Sequence, residues 1–271
     1  MRVLHSVLSL QSGAMPRIKI VWEYSRFFNC SIFELFQVPD DIVVEEWNMT
    51  FSKRIKRKFA ESLRKTPLSK IMYDLILHEQ DIIKLRNKTY NFRDLLNYSS
   101  VYIETCQWFY TGTGEFKFFK PNIEIIDQVH QVTSDFNKHI IGIHIRQTDH
   151  SLSIKSSPIS EFVRIMKNEI KKNNDTIFFL STDSGEAEKK LKDEFQNRII
   201  TYENKELSRN TTKGIKDAFI DMLCLSRTNK IYGSYQSSFS HIASLINGIE
   251  LQVVNVLDRS KSDDLVKNNI Q

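Results

Sequence analysis

A chain of 271 residues, 41% hydrophobic and 26% charged, has the length for one large or two small domains and the composition of an ordinary globular protein. Eight glycines and five prolines exclude collagen-like and linker-dominated classes, and no apolar run approaches the roughly 20 residues that span a bilayer. The net charge of +5 is too mild to imply nucleic acid. Residues 1–14 lack the features of a secretory leader. Cys30, Cys106 and Cys224 fit neither a metal spacing nor a disulfide framework and read as three buried thiols in a reducing cytoplasm.

In chain order, residues 3–10 read as an apolar helical piece and 18–22 as a strand. A short helix at 32–36 follows Ser31, which can cap it, and 42–44 is a strand. Phe51, Ile55, Phe59 and Leu63 recur at helical spacing, and a second helical stretch covers 68–77. Residues 91–96 are ambiguous, and 101–105 alternate like a strand. Pro121 opens a helix to about residue 136.

The second half is cleaner. Strands at 140–145, 176–180, 199–202, 230–232 and 251–256 alternate with helices at 158–172, 183–195, 215–227 and 238–247. Ser157-Pro158 starts the first of these helices, Asp183-x-x-Glu186 resembles a capping box for the second, and Gly248 stops the last. Such alternation implies a parallel, Rossmann-type sheet, with a domain boundary near 115–138.

Three strand ends carry polar groups: His144, Arg146, Asp149 and His150 after the first strand, residues 181–184 (STDS) after the second, and residues 233–240 (GSYQSSFS) before the last helix. A parallel sheet delivers all three to its carboxyl edge, where open α/β sheets bind ligands. Arg146 offers the planar donor fork that suits a diphosphate, and Ser237 and Ser238 lie at a helix N-terminus that favours an anion. Each piece has a plainer reading: Ser238 as a simple N-cap, Asp183 as a helix cap, Arg146 as a surface ion pair, Asp221 as half of a structural salt bridge.

The ordered set HIRQTD, STDS and DMLCLSRTNKIYGSYQSSFS resembles the fucosyltransferase superfamily, as do MRVLHSVLSLQ, IKIVWEY and NCSIFELF near the start. The resemblance implies a GT-B-like α/β fold of two Rossmann-like domains with parallel sheets, the first one incomplete because a strand and glycine loop expected at the start are not in the sequence. Residues 1–137 would be the acceptor-side domain and 138–271 the donor domain. The donor would be GDP-fucose, transferred with inversion to a glycan or lipid-linked saccharide without metal or cofactor. Arg146 would hold the β-phosphate and stabilise the leaving diphosphate. His144 and Asp221 would contact the guanine-nucleotide portion, Asp183 would lie near the donor, and Ser237 and Ser238 would cradle phosphate. The second arginine of the motif is Gln147 here, and the glutamate that acts as base in one subgroup falls near Ile154, so Asp149 or His150 becomes the candidate base.

Residues 53–70 carry eight basic side chains against Glu61, on the apolar stripe given above. They read as a helix with a solvated basic face or as a peripheral contact with an anionic membrane, in an otherwise cytoplasmic protein. The alternatives for function are a catalytically weak nucleotide-sugar-binding relative, and a GT-B transferase using another GDP-sugar such as GDP-mannose.

Overall fold

The computed structural model describes residues 6, 7, 9, 10, 17–24, 28–40, 42–47, 58, 62, 66, 69–110, 120–148 and 151–256. The helix expected at 51–63, most of the basic segment, Asp149 and His150 lie outside the described residues. The chain forms two units, Met1–Arg26 with Ser31–Lys120, and Phe27–Cys30 with Pro121–Gln271. The residues expected at the end of the first domain, 121–137, thus belong to the second. The helix there packs on a later helix of that unit, with Lys216 ion-paired to Glu124 (2.6 Å) and Arg227 donating to Thr133 (2.9 Å).

The first unit contains two parallel strand pairs among its described residues. β1 (Ile18–Glu23) pairs with β2 (Ile42–Trp47), with the short helix α1 (Ile32–Leu35) between them. Helix α2 (Ser69–Met72) is brief, because the chain expected to continue helically to 77 instead turns into β3 (Leu75–His78). That strand pairs in parallel with β4 (Val101–Glu104), after helix α3 (Glu79–Asn87). Pairing overrides the helical spacing: Asp74 and Ser100 exchange bonds at the strand entrance, and Leu77 is buried with Ile82, Phe92 and Phe109. Glu79 accepts from Thr105, from the Cys106 amide (2.8 Å) and from Gln107 (2.8 Å), which holds its carboxyl down at about 2. Cys106 is exposed, contrary to expectation, while Cys30 and Cys224 are buried.

The second unit is a five-stranded parallel sheet. In chain order its elements are α4 (Ile123–Thr133), β5 (Ile140–Ile145), α5 (Ser151–Ser156), α6 (Ile159–Lys172), β6 (Ile177–Thr182) and α7 (Gly185–Phe195). They continue as β7 (Ile199–Ile200), α8 (Thr212–Leu225), β8 (Lys230–Ser234), α9 (Ser238–Asn247) and β9 (Glu250–Val254). The strand order is β9-β8-β5-β6-β7. The chain starts at the centre, winds out through β6 and β7, and returns to the other side of β5. That reversal makes the cleft between β5 and β8 the topological switch point, where such sheets bind ligands. Every residue of β5 is buried, as a strand covered on both faces requires. Ile143, Ile145, Phe162, Met166, Phe178 and Leu180 form the centre of its core. Among the described residues no helix is long and apolar enough to cross a membrane.

Candidate nucleotide-binding site

Past Ile145 the chain leaves the sheet and is caught at once by β8. The Arg146 amide donates to Ser234 Oγ (3.0 Å), and that hydroxyl donates to the His144 carbonyl (3.3 Å). Gly233 stands opposite His144 in the strand register. A Cβ on Gly233 would lie 2.5 Å from Ser240 Oγ and 2.7 Å from Ser240 Cβ, so glycine lets the first turn of α9 close onto the strand. The next residues are held from β6. Gln147 donates its amide to Asp183 Oδ1 (2.8 Å), and Thr148 its hydroxyl to Asp183 Oδ2 (2.7 Å). Asp183 therefore does not cap the following helix. Ser184 does, accepting from the Ala187 amide (3.2 Å), and Asp183 is spent on the turn that carries Arg146.

His144 is 6% exposed and stacks on Phe239 with ring centroids 4.8 Å apart and planes 17° from parallel. Burial pushes its pKa down to about 3, assisted by Arg146 and Lys205 and opposed by Asp183. It is a neutral ring, and its Nδ1 is buried without a partner among the described residues. Ser237, rather than Ser238, takes the N-cap position of α9, yet its hydroxyl bonds no helix amide and is also buried without a partner among the described residues. Gln147 Nε2 shares that condition. Buried polar atoms are nearly always satisfied, so this group of exceptions at one strand edge makes it the candidate position for a ligand.

Asp221 sits mid-way along α8, buried. Its Oδ2 accepts from Ser181 Oγ (3.1 Å) and from Lys205 Nζ (3.0 Å), while Oδ1 has no partner among the described residues. Burial raises its carboxyl to about 6, against the pull of Lys205 and Ser181. The structural salt bridge that the sequence left open for Asp221 is thus present. Its lysine was not singled out, since residues 201–211 carry no periodicity.

The structure brings together His144, Arg146, Asp183, Ser237 and Ser238 at the carboxyl edge, with Asp221 linked through Ser181 on β6. The candidate base residues Asp149 and His150 lie outside the described residues, and Ile154 is on α5, half-buried and without an ionisable group. Lys205 is the member that sequence reasoning missed, and Ser234 lay within the 233–240 cluster without being singled out. Ser234 had a signal, a hydroxyl at the last position of a buried strand.

These features define a class: a GT-B-like α/β fold whose second unit is a parallel sheet with polar side chains gathered at the β5–β8 switch point. Among solved structures, the chain shares its fold with the NodZ α-1,6-fucosyltransferase soaked with GDP-fucose (TM-score 0.53, 18% identity, 84% of this chain and 81% of that one). The fucosyltransferase NodZ from Bradyrhizobium matches similarly (TM-score 0.52, 16% identity, 84% and 81%). A mutant of Arabidopsis thaliana FUT1 in complex with GDP matches over 93% of this chain and 74% of that one (TM-score 0.51, 12% identity). No family model matches the sequence, and no curated protein matches it significantly.

Proposed function

We propose that the protein is a glycosyltransferase that takes fucose from GDP-fucose and transfers it, with inversion and without a metal, to a glycan hydroxyl. The observation that carries this reading is the Arg146–Ser234 bond at the switch point, which puts a guanidinium-bearing turn beside the N-terminus of α9. The three structures of like fold are fucosyltransferases, one soaked with GDP-fucose and another bound to GDP.

Transfer from a nucleotide sugar breaks the bond between the anomeric carbon and the β-phosphate, and negative charge grows on the departing diphosphate. In this reading Arg146 meets that charge together with the free amides of α9 and the unpartnered Ser237 hydroxyl, with Ser238 at the first helical position. Such donors are preorganised, because Ser234 and Asp183 fix the turn from both flanking strands. Neutral His144 and carboxylate Asp221 lie toward the nucleoside portion. Asp149 or His150, directly after the turn, takes the acceptor proton.

A second reading is a GDP-sugar-binding relative with little turnover. Gln147 supplies no second charge, and Ile154 no carboxylate. A thermal-shift screen with GDP, GDP-fucose, GDP-mannose and UDP-sugars, followed by release of GDP from GDP-fucose over a panel of glycan acceptors, separates the two. Stabilisation by GDP-fucose with acceptor-dependent GDP release supports the transferase. Stabilisation by GDP without turnover supports the second reading, and no response to any guanine nucleotide sinks both.

A further inference from the structure

Lys205 lies between β7 and α8 with its side chain only 7% exposed, an unusual depth for an ammonium group. Its Nζ is 3.0 Å from Asp221 Oδ2 and 3.5 Å from Glu188 Oε2. Ser181 donates to the same Oδ2, so both donors use one carboxylate oxygen and Oδ1 is buried with none among the described residues. A buried ion pair gains little net stability, because desolvation offsets its attraction.

The backbone around Lys205 is fixed by other means. Glu206 donates its amide to Asp217 (2.7 Å), and Thr211 its hydroxyl to the Glu206 carboxylate (2.6 Å). Ser208 approaches Gly214 so closely that a Cβ there would stand 1.8 Å from the Ser208 carbonyl oxygen. The segment therefore holds Lys205 in place, and Lys205 in turn acts on Asp221. Ser181 faces His144 in the β5–β6 register, so the half-filled carboxylate adjoins the strand end of the candidate site.

The geometry points to Lys205 as a positioning residue for the nucleotide base: by occupying Asp221 Oδ2 it leaves Oδ1 as the carboxylate oxygen without a partner among the described residues, an acceptor for N–H donors on a guanine edge. The inference rests on the GDP reading above and deepens it. Guanine carries a ring N–H and an amino group side by side, hypoxanthine keeps only the ring N–H, and adenine has an acceptor at that ring position.

The groups facing Asp221 are Lys205 and Tyr202 from the 201–211 segment, Glu188 from α7, Cys224 along α8 and Ser181 from β6. Lys205 and Ser181 favour the charged carboxylate, while burial and Glu188 oppose it. Loss of Lys205 moves protonation of Asp221 further upward and weakens it as an acceptor.

The test is isothermal titration calorimetry of the full chain with GDP, inosine diphosphate and ADP from roughly pH 5.5 to 8.5, a range that brackets the Asp221 transition. Wild type prefers GDP, with affinity falling on the acid side. Lys205→Met lowers GDP affinity about tenfold or more, the worth of one charge-assisted contact, and leaves ADP binding nearly unchanged. It also shifts the acid-side fall to higher pH, and Lys205→Arg restores much of the affinity. If Lys205→Met fails to fold, Lys205→Met with Asp221→Asn removes both buried charges, and the expected result is a folded protein without preference for GDP over ADP. Wild type that binds GDP beside a Lys205 variant with the same preference and pH profile overturns the inference and leaves the GDP reading standing. Wild type that binds no guanine nucleotide overturns both.

Discussion

The amide of Arg146 is bonded to the hydroxyl of Ser234, 88 residues further along the chain and on the neighbouring strand across the switch point. That hydroxyl also donates to the carbonyl of His144, so one side chain fixes both backbone groups that flank Ile145. Ser234→Ala leaves the part-buried Arg146 amide and the buried His144 carbonyl short of a partner. The expected cost is about 1–3 kcal/mol of stability by urea denaturation, with GDP affinity lowered in parallel. Unchanged stability and affinity would show that the bond does not order the turn.

Asp183 secures the same turn from the other side through two bonds. Asp183→Ala is expected to lower GDP affinity by about tenfold, with about 1–2 kcal/mol of stability lost. Asp183→Asn keeps one acceptor for the Gln147 amide and is expected to fall between the two. An Asp183→Ala variant with full affinity would make Asp183 a bystander.

His144 predicts acid sensitivity. The unfolded chain takes a proton at this residue near 6.5, whereas burial withholds it in the folded chain until about 3. The stabilisation is therefore complete above 6.5 and lost as pH falls below it, by about 2 kcal/mol at pH 5. Asp221 acts with the opposite sign, because its folded pKa is raised to about 6 and it accepts a proton earlier in the folded state. Comparing wild type with His144→Gln isolates the histidine. The difference in their stabilities should change by about 2 kcal/mol between pH 8 and pH 5, and parallel pH profiles would contradict the assignment.

Gly214 is the packing constraint behind the 201–211 segment. Since the Ser208 carbonyl lies where a Cβ would go, Gly214→Ala must push the segment away from α8. The expectation is a loss of about 1–3 kcal/mol, as for other forced overpacking. Near-ultraviolet circular dichroism and urea melts check this. Wild-type stability would mean that the contact relaxes freely.

Much of the second unit was legible in the sequence. Pro158 and Gly248 punctuate helices where physics demands, and Gly248 has the positive φ of 65° expected after a helix end. Buried parallel strands announce themselves as continuous apolar runs, as IIGIHI does. Reading failed where tertiary partners decide. Leu75–His78 has helical spacing but is a strand because Val101–Glu104 pairs with it. Ser151–Ser156 forms a helix, although its buried positions, Ser153 and Ser156, are polar. Asp183 looked like a helix cap because only the fold brings Gln147 and Thr148 to it. Lys205 was invisible for the same reason: nothing in its neighbours hints at a carboxylate 16 residues away.

In the function proposed, the turn after β5 holds the diphosphate of a guanine nucleotide. Isothermal titration calorimetry of GDP against wild type and Arg146→Ala tests it most directly. Wild type should bind saturably and one-to-one, and removal of the guanidinium should cost about 1–3 kcal/mol, roughly tenfold or more in affinity. Absence of GDP binding to wild type, or equal affinity in the two proteins, would contradict it.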